Sequence, residues 1–177
     1  MAGIAEGRLR EERRSWRKDH PVGFVARPKS QADGSTDLLN WDVVIPGKKD
    51  TIWDGCEFNL TMAFSGDYPA KAPIVKFVSR PGEVFWHMNV WSNGRICLNL
   101  LNEPDGTWHG QWSPSITIKQ ILCAIHELLD TPFPAGARPE VQTLYERDRP
   151  AYDRRLKQEA DKYRRTPAAA DDCIVIE

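Results

Sequence analysis

The sequence predicts an α+β fold: an N-terminal helix, a four-stranded antiparallel meander, a long irregular segment and three C-terminal helices. Three observations carry that prediction. Strand-like runs cluster in the first half, and helical periodicity fills the last third. The connections between successive strand runs are short, which favours antiparallel neighbours. Between the two halves lies residues 79–115, punctuated by Pro81, Gly82, Gly94, Pro104, Gly106, Gly110 and Pro114. Long irregular segments in compact domains are usually functional. A chain of 177 residues with 41% hydrophobic content can build one domain with a real core.

Residues 4–18 have helical periodicity, ended by His20-Pro21 and Gly23. Ile4, Ala5, Leu9 and Trp16 are expected on the buried side. Arg10, Arg13, Arg14 and Arg17 follow the i, i+3, i+4, i+7 spacing of one face. Taken alone, such a stripe is an ordinary solvated face. Strand-like runs follow at 24–26, 38–45, 56–64 and 74–78. Asp33-Gly34 suits the hairpin between the first two. Pro46-Gly47-Lys48-Lys49 closes the second run, and Gly66-Asp67-Tyr68-Pro69 closes the third. A helix is expected over 116–129, with Ile118, Ile121, Leu122, Ile125, Leu128 and Leu129 at helical spacing. Residues 131–139 break it, and two more helices are expected near 140–147 and 151–164. Residues 166–172 read as a linker to a short apolar end. The expected organisation is one domain over 1–165 and a tail over 166–177.

Composition excludes several classes. The chain is 28% charged with a net charge of −1, which argues against nucleic-acid binding driven by bulk charge. No apolar run reaches the about eighteen residues of a membrane-spanning helix, and no membrane partner is expected. The charged start gives no expectation of a signal peptide, and Ala2 ahead of Gly3 removes the myristoylation pattern. Cys56, Cys97, Cys123 and Cys173 are expected as reduced thiols. None forms a C-x-x-C pair, and His20, His87, His109 and His126 form no cluster with them, so no metal site is expected.

The richest stretch is His87-Met88-Asn89, followed seven residues later by Cys97 within Gly94-Arg95-Ile96-Cys97-Leu98. It sets a thiol a short loop from an amide donor. A thiol performs acyl transfer only where the tetrahedral oxyanion is stabilised. Without further support a lone cysteine is more often a buried, inert hydrophobe, and Cys56 and Cys123 are read that way.

From Ile4 to about Arg165 the sequence resembles the ubiquitin-conjugating family, and within it the SUMO-conjugating enzymes. The pieces that carry the resemblance are Glu11-Glu12-Arg13, Trp16-Arg17-Lys18-Asp19-His20-Pro21, Gly23-Phe24, Asn40-Trp41, Ile45-Pro46-Gly47-Lys48-Lys49, Asp67-Tyr68-Pro69, Cys97-Leu98 and Ile116-Thr117-Ile118-Lys119-Gln120-Ile121-Leu122. The N-terminal block discriminates, because relatives charged with ubiquitin rarely have that helix end. The resemblance implies the ubiquitin-conjugating fold and a two-step thioester relay. Cys97 would accept the SUMO C-terminus from the activating enzyme and pass it to a substrate lysine. Asn89 would support the oxyanion or its loop, and His87 would be structural. Arg13, Arg14, Arg17, Lys18 and His20 would meet the activating enzyme and a second, non-covalent SUMO. Lys48 and Lys49 are weaker candidates for the activating-enzyme contact. Trp91 and Lys76 would face the substrate. SUMO ligases and substrate proteins complete the implied partners, in nucleus and cytoplasm. No cofactor is implied, since the ATP step belongs to the activating enzyme.

The chain departs from the family at several points. Met88 stands where the family has proline, which removes a fixed φ and is expected to place Asn89 less rigidly. The segments 78–86 and 97–112 are longer than the family's. Thr131-Pro132-Phe133-Pro134-Ala135-Gly136 has no carboxylate where the family carries an Asp that orients the incoming lysine; Asp130 lies just before. Trp91 replaces the family's substrate-facing Tyr. Weaker ligase-independent transfer is expected. Two alternatives stay open: a conjugating enzyme charged with ubiquitin, and a catalytically weak module that only binds.

Two further motifs lie near the C-terminus. Asp171-Asp172-Cys173-Ile174-Val175-Ile176-Glu177 resembles a SUMO-interacting motif, with Ile174, Val175 and Ile176 as the added strand; the plain alternative is a tail packed on its own domain or disordered. Leu156-Lys157-Gln158-Glu159 matches a hydrophobic-Lys-x-Glu acceptor pattern, which inside a charged helix is more often coincidence.

Overall fold

Four strands run in chain order across one antiparallel sheet, with a helix before them and three after. The computed structural model describes residues 3–104, 110–134 and 137–165. The elements are α1 (Ile4–Lys18), β1 (Val25–Ser30), β2 (Thr36–Pro46), β3 (Glu57–Ala63), β4 (Ile74–Phe77), a 3-10 turn (Asn99–Leu101), α2 (Ile118–Asp130), α3 (Pro139–Arg147) and α4 (Arg149–Asp161). The tail motif at 174–176 lies outside the described residues.

The sheet alternates as a half-buried meander should. Trp41, Val43 and Ile45 of β2, Phe58, Leu60 and Met62 of β3, and Val75 and Phe77 of β4 all point into the core. α2 covers that face with Ile118, Ile121, Leu122, Ile125, Leu128 and Leu129, the residues its periodicity marked. β1 is longer than expected, because the chain stays paired with β2 to Ser30 and Thr36. The turn between them is where Asp33-Gly34 placed it, with Gly34 at φ +80°.

The first expected helix forms, but its buried side differs. Ala5, Leu9 and Trp16 are buried, while Ile4 is 84% exposed. Glu12 takes part of the interior instead. Its Oε1 accepts from the Arg8 guanidinium at 2.6 Å, and its Oε2 accepts from the Ile118 amide at 3.2 Å. A carboxylate at the start of α2 also meets the positive end of that helix. This ties α1 to α2. α2 begins at Ile118 rather than 116 because Thr117 caps it. The Thr117 hydroxyl accepts from the Gln120 amide, and Gln120 Oε1 accepts from the Thr117 amide.

The loop after β2 has a glycine where it needs one. A Cβ on Gly47 would sit 1.7 Å from the Trp53 carbonyl oxygen. Cys56 belongs to a single bridge with Arg164 rather than to β3, and its thiol donates to the Ala160 carbonyl at 3.3 Å. Burial pushes that thiol's pKa up, which lowers its thiolate fraction. Among the described residues no helix is long and apolar enough to cross a membrane.

Candidate active site

The site grows from an extension of the sheet edge. Residues 89–91 and 95–97 run antiparallel, with Val90 bridged to Ile96 and Gly94 turning between them at φ +80°. Cys97 N donates to the Asn89 carbonyl at 2.8 Å, and Trp91 N donates to the Arg95 carbonyl at 2.9 Å. This hairpin docks on β4. Ile96 N donates to the Val75 carbonyl, Phe77 N to the Gly94 carbonyl, and Lys76 bridges to Arg95. Val90 and Ile96 are buried on one face. By alternation, Asn89, Trp91, Arg95 and Cys97 share the other face. The thiol is therefore carried on hydrogen-bonded backbone, half-buried in residue terms.

His87 and Asn89 pin this hairpin to the end of α2. His87 is fully buried; its Nε2 donates to the Leu129 carbonyl at 3.3 Å, and its Nδ1 accepts from the Asn89 amide at 3.1 Å. The Trp53 indole also donates to the Leu129 carbonyl, at 2.8 Å. One otherwise orphaned helix-end carbonyl thus holds two elements. Burial drives the His87 pKa down to about 4, so the ring is neutral and cannot act as an acid near pH 7. The Asn89 side chain grips the following loop from both sides. Its Nδ2 donates to the Phe133 carbonyl at 2.8 Å, and its Oδ1 accepts from the Phe133 amide at 3.1 Å. Met88 is fully buried. Asn89 is held by four hydrogen bonds, one each with His87 and Cys97 and two with Phe133, and Met88 beside it packs in the core.

The thiol's surroundings pull in two directions. Burial raises the Cys97 pKa, while the Arg95 charge and a hydrogen bond from the Trp91 side chain lower it. Arg95 was not singled out from the sequence. The signal was there in the i, i+2 alternation that puts it on the thiol's face. Trp91 is 41% exposed, and Lys76 is exposed beside Arg95. Asp130, the one carboxylate near the loop, lies 3.5 Å from Lys48 Nζ, whose shorter contact is to Glu127 at 2.6 Å. Lys48 thus pairs with two carboxylates of α2, whereas Lys49 is exposed.

A second constellation lies on α1. Arg10, Arg13, Arg14, Arg17 and Lys18 surround a hollow of about 470 Å³. His20 stacks on Trp16 with centroids 5.3 Å apart, and its Nδ1 donates to the Trp16 carbonyl at 2.8 Å. Residues the sequence did not flag hold the preceding loop. Buried Glu159 accepts from the Trp86 amide at 3.0 Å and pairs with Lys162, which also meets Glu83. Within Leu156-Lys157-Gln158-Glu159, Leu156 and Glu159 are buried in α4, and Lys157 and Gln158 face solvent. Among the described residues no group of His, Cys, Asp and Glu could hold a metal ion.

A family model described as ubiquitin-conjugating enzyme matches residues 8–160. The chain is 45% identical over 164 residues to the SUMO-conjugating enzyme UBC9 of Caenorhabditis elegans, covering 92% of this chain and 93% of that one. It is 48% identical over 163 residues to the SUMO-conjugating enzyme SCE1 of Arabidopsis thaliana, covering 92% and 96%. A SUMO-conjugating enzyme of Dictyostelium discoideum is 42% identical over 92% of this chain and 98% of its own. The chain belongs to the ubiquitin-conjugating enzyme family, in its SUMO-conjugating branch.

Proposed function

We propose that this chain carries SUMO as a thioester on Cys97 and transfers it to substrate lysines. The observation that carries the reading is the half-exposed thiol on a pinned hairpin, in a chain nearly half identical to SUMO-conjugating enzymes along most of its length. In the first step the Cys97 thiol loses its proton to solvent. Its sulfur attacks the carbonyl carbon of the SUMO thioester on the activating enzyme. A new C–S bond forms, and the activating enzyme's sulfur leaves as thiolate. In the second step a lysine amine attacks the same carbon. The oxyanion collapses, Cys97 leaves as thiolate, and the amine releases a proton. A sulfur suits both steps, as good nucleophile and good leaving group.

Asn89 serves this chemistry first by holding the loop at Phe133 against the hairpin, and its amide has a second N–H to offer the oxyanion. His87 is a neutral structural pin. The cationic face of α1, with Arg13, Arg14, Arg17, Lys18 and His20, receives the activating enzyme and a second SUMO by charge complementarity, which mainly speeds association. Lys49 adds to that contact. Trp91 and Lys76 face the substrate, ligases assist transfer, and the enzyme works in nucleus and cytoplasm. Residues 1–165 form the catalytic unit, and Ile174, Val175 and Ile176 of the tail pair with SUMO. No carboxylate stands free over 130–134, so transfer without a ligase is slow.

The test is a thioester assay with SUMO, its activating enzyme and ATP, run beside Cys97→Ser and a ubiquitin reaction. The expected product is a reductant-sensitive SUMO adduct that Cys97→Ser abolishes as a thioester and that ubiquitin does not form. A ubiquitin adduct in its place would move the modifier to the other branch. No adduct with either would leave a binding module.

A further inference from the structure

The hairpin that carries the thiol sets Trp91 and Arg95 on the same face as the Cys97 sulfur, and the steps written above give neither of them a part in the thiol's ionisation. Trp91 and Arg95 stand opposite each other across the turn, joined by the 2.9 Å bond from Trp91 N to the Arg95 carbonyl. Both share the face of Cys97 by strand alternation. The turn between them is closed by two hydrogen bonds. Gly94 N donates to the Trp91 carbonyl at 2.9 Å, and Arg95 N donates to Asn93 Oδ1 at 3.0 Å. A Cβ on Gly94 would approach the Phe77 carbonyl to 3.1 Å, so the turn is closely packed on the end of β4.

We propose that Trp91 and Arg95 form an electrostatic cradle for the Cys97 sulfur. The indole N–H donates to the sulfur, and the guanidinium supplies a positive field. Both favour the thiolate, which is the species that attacks in the first step and leaves in the second. The inference rests on the reading of Cys97 as the thioester carrier.

The charges around the thiol are consistent with this role. Among the described residues Arg95 forms no ion pair, so its charge is not neutralised locally. Lys76, across the bridge on β4, adds charge of the same sign. His87 behind the hairpin is neutral. Residues 131–134 of the facing loop carry no ionisable group, and Asp130 lies beside Lys48. Burial opposes ionisation of Cys97, and these two side chains are what offset it. Arg95 is exposed, so its share is screened by salt, whereas a direct hydrogen bond is not.

Iodoacetamide alkylation of the full chain, read at the Cys97 peptide by mass spectrometry from pH 6.5 to 10.5, tests the cradle without SUMO or any partner. Arg95→Gln and Trp91→Phe are each expected to move the titration midpoint upward. A shift of about half a unit makes alkylation about threefold slower at pH 7.5. Arg95→Lys is expected to restore most of the midpoint. Molar salt is expected to erase the Arg95 effect and leave that of Trp91. Unchanged midpoints in both variants overturn the proposal. A slower plateau with an unchanged midpoint also overturns it, since it reports access rather than charge. Thioester formation by the unsubstituted chain is read separately, so failure of the cradle and failure of the thioester reading give different results.

Discussion

Replacing Asn89 with alanine separates two roles that one side chain can play. The side chain closes a two-point clamp on Phe133, through bonds of 2.8 and 3.1 Å. Asn89 is fully buried, and Phe133 is half-buried. Each neutral hydrogen bond contributes about 1 kcal/mol net, and stranding a buried partner adds a further 1–3 kcal/mol or so. Because opening of the loop lets water reach Phe133, part of that cost is recovered. The loss to the closed loop is then about 2–3 kcal/mol, or roughly a 30- to 150-fold rise in its open population. Amide hydrogen exchange at Phe133 reads the loop, and single-turnover discharge of the SUMO thioester to free lysine reads the chemistry. We expect Asn89→Ala to lose protection at Phe133 and to slow discharge together. Asn89→Asp keeps the acceptor for the Phe133 amide and should fall between. Slow discharge with unchanged protection would refute the loop mechanism and assign the side chain to the oxyanion. Unchanged discharge despite lost protection would show that loop position does not matter to transfer.

Three other outcomes follow from the geometry. The buried neutral His87 has its pKa lowered to about 4 from 6.5, so the unfolded chain binds the extra proton first; stability should be complete above about pH 6.5 and fall by about 3 kcal/mol as pH drops toward 4, read by urea unfolding. A flat profile over that range would mean the ring protonates without cost. Glu12→Ala removes a buried carboxylate shared by Arg8 and the start of α2, and should cost about 3 kcal/mol in the same assay; a cost under about 1 kcal/mol would show that the pair merely breaks even. Arg13→Glu with Arg17→Glu should slow thioester charging by the activating enzyme, and the difference from the unsubstituted chain should shrink as salt rises. Equal charging at low salt would remove the α1 face from that contact.

Much of this protein was legible in its sequence. Period-2 and period-3.6 patterning marked the four strands and four helices, because burial of one face is a local periodic demand. Thr117 and Gln120 wrote the start of α2, although the apolar pattern alone placed it two residues early. The thiol at Cys97 and the Arg stripe of α1 were readable as candidates, and residue pieces spread along the chain pointed to the family. Tertiary structure decided what each polar group is for. Glu12 resembles any solvated helix acid until the start of α2 packs against it and the Ile118 amide donates to its carboxylate. Lys48 looks free until Glu127 and Asp130, about eighty positions on, take it up. Asn89 and Phe133 are 44 residues apart, and Trp86 and Glu159 are 73 apart, so no local pattern relates them. Acceptor motifs such as that around Lys157 exist in sequence whether or not the fold displays them. Periodicity records which face is buried. Hydrogen-bond and charge partners are set by which distant segments packing brings within 3 Å, and only the folded chain contains that information.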